Sequence, residues 1–303
     1  MHGLMLHNDD IRETSERLLS PGQVGLLNGW GVFSTLRVVD GVLFAYERHF
    51  ARMARDAQLL HVPFPASPEF LKERLLKLVA ANKAGDSTLR VAVVRNKGGM
   101  FEGPAIDREF DIIAFTKELK DWGASSRLAL APRARVADHI FAGTKMLSWS
   151  FNLVLQEAAV ERGFDEVALL NERGEVSECT SANIFAVFGS KALTPPLMSG
   201  CLPGVTRALL LEEVRVRGIE IGARTLFPAD LEKADEVFLT SSTRDLLPVD
   251  EIETLGIQAN VERPVTRRLL QAFQQLRGEY VSARIKKQSE SLASDEELAG
   301  TRR

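Results

Sequence analysis

Residues 31–60 read GVFSTLRVVDGVLFAYERHFARMARDAQLL, and their pattern sets the architecture. Residues 31–39 form a run of β-branched and apolar side chains, Asp40-Gly41 is a two-residue hairpin signal, and residues 42–45 answer as the return strand. Directly behind the hairpin, Phe50, Met53, Ala54 and Ala57 recur at helical spacing, which predicts a helix over about residues 47–60. Pro63 and Pro65 end it, because a proline lacks the amide the next helical turn needs. Hairpin followed by helix predicts a mixed α and β domain.

Outward from this stretch the same grammar continues. A second helix is predicted over residues 68–82, with Phe70, Leu71, Leu75, Leu78 and Val79 inward and Lys83 and Gly85 closing it. Strands are predicted at 89–94 and 110–115. The polar, mixed-charge stretch around Lys117-Glu118-Leu119-Lys120-Asp121-Trp122-Gly123 has the composition of a connector. This divides the chain into a small N-terminal α/β domain at 1–118, a connector at 119–126 and a larger C-terminal domain at 127–283. In the larger part a helix over 148–162 is expected to turn Phe151, Val154, Leu155 and Ala158 to the core, with Gly163 as its stop. An antiparallel meander is predicted from 166–170, a turn at 171–174, a strand from Val176 onward and another at 183–188. Leu202-Pro203-Gly204 leads into a helix over 205–217, whose Arg215 and Arg217 suit the negative end of its dipole. The last clear strand is 237–240, and a helix over about 264–276 follows. The polar tail, 284–303, reads as frayed or solvent-facing.

The 303 residues are 45% hydrophobic and 26% charged with a formal net charge of −3, the profile of a soluble globular chain. No overall basic field is present to draw in nucleic acid or an anionic membrane. The two cysteines, Cys179 and Cys201, are too few for a disulfide framework and lack zinc-ligand spacing, so a reducing cytoplasm is expected and no metal site. The N-terminus lacks the basic and apolar regions of a secretory leader, and no apolar run is long enough to span a bilayer.

The chemistry-bearing signals lie mostly in the second half. Pro203-Gly204-Val205-Thr206-Arg207 opens a predicted helix, where unpaired amides and the positive dipole end can close on a phosphate; an everyday turn reads the same way. Thr240-Ser241-Ser242-Thr243 puts four hydroxyls at the end of an apolar strand, either for an anion or for a turn. Lys145, flanked by small and apolar residues, is a nucleophilic amine if desolvation lowers its pKa, and a surface lysine if not. Glu178, in a strand between apolar runs, could pair with a cationic ring nitrogen or face solvent. His49 and His139 have no partner at ligand spacing.

Together these segments resemble the class IV aminotransferases, the fold-type IV enzymes that use pyridoxal 5′-phosphate. The likeness runs in order through Gly29-Trp30-Gly31-Val32-Phe33, His49-Phe50-Ala51-Arg52-Met53, Thr144-Lys145, Glu178 with Ser181 and Asn183-Ile184-Phe185, Leu202 to Arg207, and Glu236 through Val249. It implies a two-domain fold with a small N-terminal α/β sandwich and a larger domain built on a pseudo-barrel sheet. It implies further that Lys145 forms the internal aldimine and shuttles the proton between substrate Cα and cofactor C4′. Glu178 would hold the pyridine nitrogen, Arg52 the phosphate, and Gly204, Val205, Thr206 and Ser242 the rest of the phosphate cup; Leu202 would lie against the ring and Ser181 beside the cofactor. Phe33, Arg95 and Thr243 are the substrate-side candidates, Arg95 because a bidentate arginine suits a carboxylate. A homodimer in which the partner helps to form the substrate pocket is implied as well.

Departures bear on substrate. Ser34 follows Phe33 where branched-chain and D-amino acid aminotransferases usually carry Glu, and Cys179 stands where Gly is frequent. Residues 33–37 and 89–99 look as much like aminodeoxychorismate lyase as like the transaminases. The leading reading is transfer of an amino group from an amino acid, branched-chain first, to a 2-oxo acid such as 2-oxoglutarate. The alternative is a lyase releasing pyruvate and 4-aminobenzoate, and a remote one is a non-catalytic scaffold.

Overall fold

The computed structural model describes residues 1–100, 102–103, 106–256 and 262–300, with side chains throughout except at 288 and 291–300. The first sheet is built from β1 (Leu4–His7), β2 (Asp10–Glu13), β3 (Gly31–Val39), β4 (Val42–Leu43), β5 (Ser87–Arg95) and β6 (Phe110–Lys117). Its order is β2-β1-β6-β5-β3-β4, antiparallel throughout. The short helix α1 (Val24–Asn28) precedes β3, and α2 (Tyr46–Leu59) and α3 (Pro68–Ala81) pack on the sheet.

The hairpin forms as its sequence predicts: Asp40 and Gly41 both take positive φ, 48° and 75°, the primed-turn geometry that matches strand twist. Ser67 caps α3 by accepting from the Phe70 amide at 3.1 Å, and Pro68 sits in the first turn, where its missing N–H costs nothing. Between sheet and helices Leu36, Val38, Met53, Leu71, Leu75, Leu78, Leu89 and Val93 are buried in one cluster.

The second sheet holds β7 (Ser126–Arg135), β8 (Glu166–Asn171), β9 (Val176–Cys179), β10 (Asn183–Phe188), β11 (Lys191–Thr194), β12 (Glu220–Ala223), β13 (Glu236–Ser241) and β14 (Asp245–Ile252). Its order is β12-β11-β10-β13-β14-β7-β8-β9, and it curls until β9 lies back beside β10. Helices α4 (Ser150–Glu161), α5 (Val205–Glu212), α6 (Pro228–Glu232) and α7 (Pro264–Gly300) complete the chain. Helix α7 ties the two sheets together: Phe44 from the first hairpin packs edge-on against Phe273 and Tyr280, and the Tyr280 hydroxyl donates to Glu47 at 2.6 Å.

Several expectations are corrected. The region 166–188 is not a simple antiparallel meander: β9 and β10 end up at separate places in the order, and the pairs β14–β7, β7–β8 and β11–β12 are parallel. Strand 237–240 is not the last, since β14 follows it, and β1, β2, β11 and β12 went unpredicted. Helix α5 stops at Glu212 rather than 217; Arg215 still caps it, donating to the Leu211 and Glu212 carbonyls. On helix α4 only Leu155 of the four residues expected inward packs on the core: Phe151, Val154 and Ala158 are exposed, while Asn152 and Ala159 are buried. The tail read as frayed is helical through Gly300, although its described side chains from Ile285 onward are exposed. The side chains of Ser291, Asp295, Glu296 and Glu297, and residues 301–303, lie outside the described residues.

Candidate active site

A cavity of about 590 Å³ opens between the two sheets. Lys145, Arg52, Glu178, Ser181, Leu202, Gly204, Val205, Thr206, Ser242, Phe33 and Thr243 all line it, so residues dispersed over 210 positions of sequence converge there. Arg95 does not line it. Its guanidinium lies over Trp30 at 4.2 Å and donates to the Lys97 and His61 carbonyls, so it braces a loop instead of offering itself to a ligand.

Lys145 sits in a short loop of the second half that the first half clamps. Its amide donates to Asp56 Oδ2 at 3.0 Å, its carbonyl accepts from the Phe33 amide at 3.1 Å, and Leu147 N–H reaches Gly31. Asp56, fully buried in α2, thus fixes the base of the lysine while Nζ projects over the Phe33 ring, 4.5 Å from its centre. Burial of the amine pushes its pKa down to about 7; the Arg52 and Arg90 cations push the same way and Glu178 opposes them. Half of the amines are therefore uncharged at neutral pH, as nucleophilic and basic chemistry requires.

Glu178 lies near the end of β9. Its Oε1 accepts from Arg135 Nε at 3.0 Å and its Oε2 from the Leu202 amide at 2.9 Å, which hold it as an oriented carboxylate. Arg135 in turn donates to Asn152 of α4, the inward side of that helix.

Arg52 projects from α2 toward the start of α5. One terminal nitrogen donates to Ser34 Oγ at 2.9 Å and the other to the Pro203 carbonyl at 3.5 Å, while the buried Nε has no partner among the described residues. Burial lowers its pKa to about 10, with Asp56 opposing, and it remains cationic at neutral pH. Across the cavity Val205 and Thr206 form the first turn of α5, whose leading amides have no carbonyl within the helix. Gly204 before them is dictated by space: a Cβ there would lie 2.0 Å from Asn183 Oδ1, which its neighbour Nδ2 holds in place by donating to the Leu202 carbonyl at 2.9 Å. A buried cation with a donor to spare, a helix start and the Ser242 and Thr240 hydroxyls make a donor-rich end that fits a phosphate.

Ser181 is less free than the sequence suggested. It donates to buried Glu166 and accepts from Arg244 at 3.0 Å, inside an ion pair of 2.9 Å between those two residues. Arg244 also covers one face of the connector residue Trp122 at 3.7 Å, with Lys120 4.1 Å from the ring.

Sequence reasoning missed Arg90, Arg135, Asp56 and the role of His49. Arg90 lies over the Phe33 ring at 3.9 Å on the cavity wall. A signal for it existed. In the β3–β5 register Phe33 pairs with Ala92 and Thr35 with Arg90, so Arg90 shares the Phe33 face. Arg95, five residues on, points to the other face.

Comparison with known proteins agrees with this geometry. The family model for class IV amino-transferases matches residues 31–252, and the chain belongs to that family. Its members depend on pyridoxal 5′-phosphate, so this chain is a pyridoxal-phosphate-dependent transaminase of the fold-type IV architecture. It is similar to the branched-chain-amino-acid aminotransferase of Escherichia coli K12, 29% identical over 268 residues covering 81% of this chain and 83% of that one. It is similar also to the D-alanine aminotransferase of Bacillus licheniformis, 26% identical over 89% of this chain and 95% of the other. A solved Legionella pneumophila chain described as a 4-amino-4-deoxychorismate lyase shares the fold at a TM-score of 0.78, with 22% identity over 86% of this chain and 96% of that one.

Proposed function

We propose that the chain transfers an amino group from an amino acid, branched-chain first, to a 2-oxo acid such as 2-oxoglutarate, with Lys145 as the catalytic residue. The observation that carries the reading is the convergence of a near-neutral lysine, an oriented carboxylate and a buried arginine on one cavity. Pyridoxal 5′-phosphate, when bound, supplies an aldehyde for amines and a ring that accepts the electrons released at substrate Cα. Arg52, the Val205–Thr206 turn and Ser242 would hold its phosphate, Glu178 its ring nitrogen, and Leu202 its ring. The Lys145 amine takes the proton from substrate Cα and returns it, a task suited to a base poised near the working pH. Arg90, stacked on Phe33 with no acceptor on its fork among the described residues, is the group to receive a substrate carboxylate, in place of Arg95.

The exposed apolar face of α4, with Phe151 at 82% and Val154 at 63% accessibility, supports a second copy of the chain as its cover, and so a homodimer. A cytoplasmic setting is supported by Cys179 and Cys201, both buried free thiols. No helix among the described residues is long and apolar enough to cross a membrane.

A second reading, the lyase, is favoured by one observation: with Arg135 paired to Glu178 and Arg244 to Glu166, three further cations (Arg90, Lys117, Lys120) still line the cavity besides Arg52 and Lys145, more than one substrate carboxylate needs. Donor added without acceptor separates the readings. Transamination of leucine, valine, glutamate or D-alanine converts the cofactor to its amine form in one turnover, whereas aminodeoxychorismate elimination continues without any 2-oxo acid. A Lys145→Ala protein that keeps turnover, or a wild type whose borohydride-fixed cofactor lies on a residue other than Lys145, would remove the proposal.

A further inference from the structure

Behind the donor-rich end of the cavity, four side chains form a line of hydrogen bonds. Arg52 donates to Ser34 Oγ at 2.9 Å, Ser34 Oγ lies 2.8 Å from His49 Nδ1, and His49 Nε2 lies 3.5 Å from Ser242 Oγ on the cavity wall. The guanidinium has no acceptor, so the Ser34 oxygen accepts from Arg52; its own proton can then go to His49 Nδ1, which sets the ring as the Nε2–H tautomer, the arrangement proposed below. His49 is 2% exposed, and burial, with Arg52 and Lys145 close by, drives its pKa far below the usual range, so the ring is neutral. A neutral imidazole that accepts at Nδ1 carries its proton on Nε2 and donates it to Ser242 Oγ. The Ser242 proton is then left to point into the cavity that Ser242 lines.

We propose that His49 is a positioning residue: held by Ser34 as the Nε2–H tautomer, it turns the Ser242 hydroxyl into an obligate donor toward the cofactor phosphate. The inference rests on the assignment of this end of the cavity to the phosphate, and it gives a task to a histidine and a serine that the reaction itself does not use. A hydroxyl that accepts from Nε2–H on one side keeps its own proton for the cavity side, where a donated proton attracts a phosphate oxygen and a lone pair would repel it.

The test is a titration of the apoprotein with pyridoxal 5′-phosphate and, separately, with pyridoxal, which lacks the phosphate. Wild type, His49→Leu, His49→Gln, Ser242→Ala and the double variant His49→Leu/Ser242→Ala are compared. His49→Leu and Ser242→Ala should each weaken pyridoxal 5′-phosphate binding by about tenfold, the scale of one hydrogen bond to a charged group, and leave pyridoxal binding unchanged. The double variant should be no weaker than Ser242→Ala, and the Gln amide, able to donate where Nε2 does, should restore much of the loss. Nitrogen-15 NMR of wild type should show His49 protonated on Nε2 alone. Equal losses for pyridoxal and its phosphate, additive single variants, or a proton on Nδ1 would overturn the relay. A wild type that binds both compounds alike removes the phosphate assignment itself and the relay with it; phosphate-dependent binding that survives in His49→Leu removes only the relay.

Discussion

The lysine at the centre of the site allows a quantitative check in the apoprotein. With a pKa of about 7, half of the Lys145 amines are uncharged at pH 7, against roughly one in three thousand for an amine at its ordinary value. Competitive labelling with a trace amine acylating reagent, read by mass spectrometry of the Lys145 peptide, should reach half-maximal reactivity near pH 7 while surface lysines lag by several pH units. Two substitutions fix the sign. Arg90→Met removes a cation that disfavours the ammonium form and should move the midpoint up; Glu178→Gln removes the anion that favours it and should move the midpoint down. Stability follows by linkage. Between pH 7 and the usual lysine range the unfolded chain binds a proton that the folded chain refuses, so the contribution of this residue to stability falls as pH drops through that window. Lys145→Met should therefore raise apoprotein stability at pH 7, on the order of 2 kcal/mol after allowance for partial exposure. A wild-type midpoint near pH 10, or Arg90→Met and Glu178→Gln moving it in the reverse order, would refute the electrostatic account of the site.

Arg90→Gln should raise KM for the amino acid about 10- to 100-fold with kcat much less affected, as loss of a charge-assisted fork predicts, whereas Arg95→Gln should leave KM within twofold; steady-state kinetics on the same donor decides. Gly204→Ala should cost about 2–4 kcal/mol, seen as a lowered Tm together with weakened cofactor binding, because the new Cβ must push Asn183 off the Leu202 carbonyl. Normal Tm and binding would mean that Asn183 yields freely. On the proposal that α4 seats a second copy, wild type should be a dimer in light scattering and Phe151→Glu combined with Val154→Glu a monomer, since both side chains are mostly exposed in the protomer; a monomeric wild type, or a dimer the variant leaves intact, would remove that interface.

Local rules carried the first half of the fold. The Asp40-Gly41 turn, α2 and α3 lie within a residue or two of their predicted positions, because turn chemistry, the Ser67 cap and an apolar stripe all act over a few residues. The strands that went unread are short, polar or interrupted. Asp10–Glu13 alternates poorly at a sheet edge, and β14 carries Pro248, Asp250 and Glu251 among its apolar residues. Pattern alone also said that α4 has an apolar side without saying what covers it. In the protomer the buried side is the one carrying Asn152, which holds Arg135 and the Thr180 carbonyl, and Phe151, Val154 and Ala158 look outward.

The residue types at 52, 145, 178, 204 and 242, and their order along the chain, carried the family resemblance from which the proposed roles come, whereas each residue read by itself left an everyday alternative open. Which groups surround them depended on folding. Only the packing of β3 against β5 puts Arg90 rather than Arg95 on the cavity wall, and only the approach of α2 to the 145 loop gives Lys145 the Asp56 anchor and the dry, cation-flanked setting that lowers its pKa. Desolvation and register are properties of contacts between distant segments, and no single segment contains them.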